Sequence, residues 1–182
     1  MITDTKTTLG VATQLSLIDA TGIAQAILSE ALEFCASKLG LEDPQAAAEH
    51  LHRRSSDAYN YFQYGLAKSV AEHLSEVDES VKAVFLYEEE ATPDDLCFGQ
   101  AKRTPLIHLI VWAEVRTAAL QSLLTGLDRA LVQMVAEILG YPKLLCVLDA
   151  QVIDDTDVEN RTGYGALLSS LYHRPLEVWK RS

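Results

Sequence analysis

With 182 residues, 48% of them hydrophobic and 23% charged, the chain is long enough to bury one sizeable core and has an ordinary globular composition, which excludes disordered and collagen-like classes. Fifteen basic against 26 acidic residues give a net charge of −11, which repels phosphate backbones and anionic membrane surfaces. The one local basic concentration, Arg53 and Arg54 beside His50 and His52, is too small to reverse that field, so neither nucleic acid nor a membrane is an expected partner.

In chain order, residues 1 to about 16 are polar and Thr-rich, and the alternation in LGVATQLSLI fits a strand or an arm packed on a neighbour. From Thr21, Ile23, Ile27, Leu28, Ala31, Leu32, Cys35 and Leu39 recur at helical spacing, with Asp19 or Thr21 as cap and Gly40 as terminator. Asp43-Pro44 starts a second helix, proline standing at the first helical position where its missing N–H costs nothing. An apolar stripe then runs from Ala48 through Phe62 and Leu66 to Leu74, either as one helix or as two divided at Ser55-Ser56-Asp57. Tyr59, Tyr61 and Tyr64 crowd this segment; core and rim packing is the expected role of such rings, and lining a pocket or partner surface is the alternative.

Val81 to Tyr87 is too short for a helix and reads as a strand covered on both faces. The acidic loop 88–104 carries Glu88, Glu89, Glu90, Asp94 and Asp95. Leu106 to Glu114 is a second buried strand, and Thr117 caps the clearest helix, with Leu120, Leu124, Leu127, Leu131 and Val135 in its stripe and Gly140 and Pro142 at its end. Leu144 to Ile153 is a third strand. A turn through Gly163-Tyr164-Gly165, a short helix (ALLSSLY) and the segment HRPLEVWKR complete the chain, and Tyr172, Leu176, Val178 and Trp179 mark this tail as packing down. These elements predict an α+β fold in one domain, residues 1–182. Helices, with an N-terminal helical part over 17–77, pack on a small mixed sheet within 78–182.

Three cysteines, Cys35, Cys97 and Cys146, are far apart and form no CxxC, so neither a disulfide framework nor a zinc knuckle is indicated. No basic region followed by an apolar run opens the sequence, and no stretch approaches the ~18 apolar residues of a membrane span. A reduced, soluble, cytoplasmic protein is the expectation.

A helix ending near Val77, the strand VKAVFLY, a loop, the strand PLIHLIVW, a helix and a strand holding Asp149 together resemble the minimal nucleotidyltransferase core, over residues 66 to 155. In that family a Gly-Ser follows the first strand, an Asp-x-Asp lies on the second and a third carboxylate on a later strand. The carboxylates there hold two magnesium ions that bind the triphosphate and activate the attacking hydroxyl. In this sequence Glu88 and Glu89 stand at the Gly-Ser places, Leu106 and His108 at the two Asp-x-Asp positions, and only Asp149 retains its carboxylate. The resemblance therefore implies a catalytically degenerate member with no metal or other cofactor, acting as a binding module for a protein partner or small ligand. Glu88, Glu89, His108 and Asp149 would be its ligand-binding candidates.

Two rivals follow from the residues themselves. A buried-edge histidine with bonded nitrogens is the ordinary reading of His108; the functional one pairs it with Asp149 on a neighbouring strand, the carboxylate orienting the imidazole for acid–base work in an enzyme of another class. A homo-oligomer, buried through the aromatic helix from Tyr59 to Leu74, is the structural alternative. The acidic loop lacks the alternating spacing and glycine of a calcium loop, and Asp154, Asp155 and Asp157 are explained by capping or a turn. His50 and His52 point about 200° apart on a helix and cannot share a metal, whereas Glu49 and Arg53 are spaced for a surface pair.

Overall fold

The computed structural model describes residues 6–87 and 106–182, with side chains from Ala20 onward in the first helix. The elements are α1 (Lys6–Leu39), α2 (Pro44–His52), α3 (Ser56–Val77), β1 (Val81–Tyr87), β2 (Ile107–Ala113), α4 (Ala118–Leu139), β3 (Leu148–Ile153), α5 (Asp155–Asn160), a 3₁₀ turn (Gly163–Ser169) and β4 (Leu176–Lys180). The fold is α+β. The strands form one mixed sheet in the order β3-β2-β1-β4. β1 runs antiparallel to both β2 and β4, whereas β2 and β3 are parallel and joined through α4.

Most helix ends lie where local chemistry sets them. Asp43 accepts from the Gln45 N–H ahead of Pro44, Ser55 from Ala58 and Thr117 from Leu120, each satisfying an amide that has no partner inside its helix. Residues 44–77 thus form two helices, divided at Arg54, a non-glycine residue with φ 60°. Gly140 ends α4 at φ 60° with its N–H returning to the Ala136 and Glu137 carbonyls. A side chain here would be strained by that φ and would press on the His52 ring of α2.

Three expectations change. Residues 6 to 20 are neither strand nor arm but the first half of a 34-residue helix, so Asp19 and Thr21 lie inside α1 rather than at its cap. The third strand begins at Leu148, not Leu144. The tail supplies a strand, β4, pairing with β1. Val178 and Trp179 do pack against the core, while Tyr172 is 89% exposed and Leu176 54% exposed.

β2 shows how the sheet divides the core. Ile107, Leu109, Val111 and Ala113 face the main core with the helices, while Ile110 joins Ala83, Phe85 and Ile153 on the opposite face, packed by Trp112, Val158, Leu167 and Leu168. α3 and α4 lie on the sheet, and α1 packs across both. The apolar residues of α3, Phe62, Leu66, Val70 and Leu74, are consumed inside the chain, leaving Tyr59 and Tyr61 at its surface. Among the described residues no helix is long and apolar enough to cross a membrane.

Where α1 crosses α3, Glu30 accepts from the Ser69 hydroxyl and meets His73 Nε2 at 3.1 Å, and His73 Nδ1 lies 3.8 Å from Glu76. Burial acts to raise the Glu30 pKa, but the hydrogen bonds from Ser69 and His73 outweigh it and hold the carboxyl below its ordinary 4.5. A depressed carboxylate contributes stability above its unfolded pKa and loses it as pH falls through the folded value. Glu30→Gln should therefore lower the thermal midpoint at neutral pH, and the difference from the parent should shrink as the pH is taken below 4.5. Melts across that range check it; a gap that stays constant would show that Glu30 does not act through its charge.

Candidate functional site

His108, the second residue of β2, and Asp149, the second of β3, are register partners in the parallel pair, and Tyr87 at the end of β1 is the register partner of His108 on its other side. The three form a row across one face of the sheet, at the end where β1 stops and β2 starts. Alternation puts them there: Ile107 and Leu109 turn into the helical core, so His108 must turn out of it.

The Asp149 carboxylate is engaged on both oxygens. Oδ2 lies 3.1 Å from His108 Nδ1 and Oδ1 accepts from Gln151 Nε2 at 3.0 Å. The carboxylate fixes Nδ1 as the protonated nitrogen, and among the described residues Nε2 of His108 has no hydrogen-bond partner. The side chains are 22% and 39% exposed, so the pair is reachable from solvent. Tyr164, carried by the 3₁₀ turn, sets its ring edge-on to Tyr87 at 6.5 Å, which places aromatic surface beside the imidazole.

The structure thus brings His108 and Asp149 together, the arrangement that the functional reading of His108 requires. Glu88 and Glu89, like the rest of the acidic loop and Cys97, lie outside the described residues. Leu106 is buried at 4% exposure in the main core, so it does not share the face of His108. Gln151 escapes the sequence reading and could have been found from its two-residue spacing to Asp149 on a strand; Tyr164 reads in the sequence as the centre of a glycine turn with a common pattern, and nothing local announces that its ring returns over β1.

A second polar group lies on the same face, beyond the apolar middle formed by Phe85, Ile110 and Ile153. Lys82 Nζ reaches both oxygens of Asp155 at 2.7 and 2.9 Å, Trp112 Nε1 donates to Asp155 at 2.8 Å, and the Lys82 ammonium lies 5.8 Å from the Trp112 ring centroid. The hydrogen bond to Asp155 raises the Lys82 pKa above its usual value, and Lys82 followed by Trp112 lowers that of Asp155. Next to it, Arg116 pairs with Asp154 and Asp157, which close the capping box of α5. Capping and ion pairing account for these aspartates, and the cluster fastens α5 to β1 and β2.

Elsewhere, Glu49 and Arg53 form the surface pair at 3.6 Å. Cys35 is buried and its thiol lies 3.3 Å from the Ala58 carbonyl. Cys146 is half-buried, and burial followed by the Asp128 carboxylate pushes its thiol up to about 11. A thiol so protonated is a poor nucleophile at neutral pH. Among the described residues no three His, Cys, Asp or Glu side chains gather into a cation site. In comparison with known proteins, the chain matches no family model, no curated protein and no solved structure.

Proposed function

We propose that the chain is a nucleotidyltransferase-like protein that does not transfer nucleotides and works as a binding module. It holds a small ligand or a protein partner over the row of Tyr87, His108 and Asp149. The observation that carries this reading is the state of Asp149: it is the one carboxylate in the row, and both of its oxygens are engaged by His108 and Gln151. A two-metal phosphoryl-transfer site needs several carboxylate oxygens directed at the cations, and leucine and histidine stand where the resemblance asks for the others. The adjacency of β1, β2 and β3 in one sheet supports the same reading.

Incubation with magnesium and radiolabelled ATP should give no transfer to protein, RNA or small hydroxyl acceptors. Asp149→Asn should leave that baseline unchanged. Transfer by the parent that vanishes in the variant would replace this reading with an active enzyme.

One observation favours a second reading. A carboxylate-oriented imidazole with its Nε2 free of described partners is equipped for proton transfer, so His108 would serve as acid or base in an enzyme of another class. Hydrolysis of p-nitrophenyl esters or phosphates by the parent, lost in His108→Gln, would establish that alternative over the binding module.

A further inference from the structure

A concave surface lies away from the sheet face, between the C-terminal half of α1 and the middle of α3. It is an open depression of about 390 Å³ lined by Phe34, Lys38, Tyr61, Tyr64 and Lys68. The two helices meet here because α3 carries Gly65 at the contact. A Cβ on Gly65 would lie 3.0 Å from Phe34 Cδ1 and 3.2 Å from the Ala31 carbonyl oxygen, so the glycine lets the Phe34 ring lie directly against the α3 backbone. Tyr64 stands beside that ring, centroids 5.4 Å apart and planes 37° from one another.

The two charged side chains that line the surface are both lysines. Lys38 Nζ lies 5.3 Å from the Phe34 centroid, and among the described residues no carboxylate lies within salt-bridge distance of it. Lys68 has Glu72 at 3.7 Å, with both side chains nearly half exposed, a helix-surface pair of the kind that contributes under ~1 kcal/mol and yields easily to a better partner. Two lysines stand beside three aromatic rings here, a basic spot in a chain of net charge −11, with Glu72 the carboxylate paired to one of them. With a screening length of roughly 8 Å at physiological salt, carboxylates farther away than that act on the two ammonium groups only weakly.

We propose that this cavity binds a small planar aromatic anion, with the ring against Phe34, Tyr61 and Tyr64 and the acid group between Lys38 and Lys68. The rings supply apolar contact and offset stacking; the ammonium groups supply charge-assisted hydrogen bonds. A neutral aromatic would keep only the first contribution, and a ringless anion only the second. The site is independent of the His108–Asp149 row, so either can fail without the other.

The test uses 2-naphthoate as probe, with 2-naphthamide as its neutral counterpart and inorganic phosphate as the ringless anion, in isothermal titration calorimetry on the full chain. Naphthoate should bind saturably and at least about tenfold more tightly than the amide or phosphate. The double variant Lys38→Gln, Lys68→Gln changes two surface side chains and should retain the parent circular dichroism melt. It should lose the preference for the acid while leaving amide binding as it was. Equal binding of acid and amide, phosphate binding as tight as naphthoate, or naphthoate affinity unchanged in the double variant would each overturn the proposal. Gly65→Ala gives a second check: displacing Phe34 should weaken both aromatic probes together, and undiminished binding of both would place them outside this cavity.

Discussion

Phe62→Ala should lower the unfolding free energy by about 3–5 kcal/mol. The ring is fully buried at the contact of α3 with α1, among Ile27, Ala31, Cys35, Leu66 and the other residues of the main core. Truncation there forfeits both the transfer free energy of the ring and the contacts of the atoms left around the void. The buried residues of α1 are mostly small, Ala20, Ala24, Ala31, Cys35 and Ala36 with Ile27, and alanines on a rigid helix have no side chain with which to refill a space. Against the 5–15 kcal/mol typical of a domain, such a loss would remove a large fraction of the folded population's margin. Urea unfolding checks it through a lower midpoint at an unchanged slope. Phe62→Leu, which keeps most of the volume, should cost about 1.5 kcal/mol at most. A Phe62→Ala penalty under about 1 kcal/mol would mean that α3 does not seat on α1 through this ring.

The parts of the fold legible in the sequence are those set within a few residues. Asp43, Ser55 and Thr117 each bond an amide two or three residues ahead, and an apolar run such as IHLIV can be buried on both faces only as a strand. The stripes of α3 and α4 likewise report their own packing. What stayed hidden depends on distant partners. The first half of α1, rich in Thr and with a glycine at position 10, has weak helical propensity, yet it extends a helix already nucleated by a packed segment, and propagation costs far less than nucleation. β4 carries Glu177 and Lys180 with its side chains half in solvent, so it shows no apolar run, and its identity rests on pairing with β1 almost a hundred residues earlier. Strand order is nonlocal in the same way.

The candidate site divides along the same line. That His108 and Asp149 each sit on a strand followed from two short apolar runs; that the strands are neighbours did not, and it is their register partnership that makes the imidazole and carboxylate meet. The consequence for function came only with geometry, because the engagement of both Asp149 oxygens depends on the side-chain direction of Gln151. The crowding of Tyr59, Tyr61 and Tyr64 reads in the sequence as core and rim packing, with a pocket as the alternative. Periodicity could not tell which ring faces where: Tyr61 and Tyr64 line the cavity, Tyr59 does not, and Phe34 and the two lysines come partly from another helix.

Asp128→Ala should destabilise the chain by about 3 kcal/mol and also change the chemistry of Cys146. Asp128 lies on α4, and its Oδ1 accepts from the backbone N–H groups of both Val147 and Leu148, at 2.8 and 2.9 Å. These amides are the entry to β3, which begins at Leu148. Hydrogen bonds to a charged acceptor contribute about 1.5–3 kcal/mol each; the partial exposure of the site lets water recover some of that, which sets the expected loss nearer one such bond than two. The same substitution removes the carboxylate that, after burial, does most to hold the Cys146 thiol protonated, so its pKa should fall from about 11 toward the ordinary thiol range. Peptide-resolved iodoacetamide labelling at pH 8, done under conditions where the variant remains folded, should then find Cys146 nearly inert in the parent and clearly faster in the variant. Asp128→Asn separates the two effects: the amide oxygen can still accept from the backbone, so most stability should return, while the charge, and with it the suppression of the thiolate, stays lost. Equal labelling of parent and both variants would show that burial alone holds the thiol protonated.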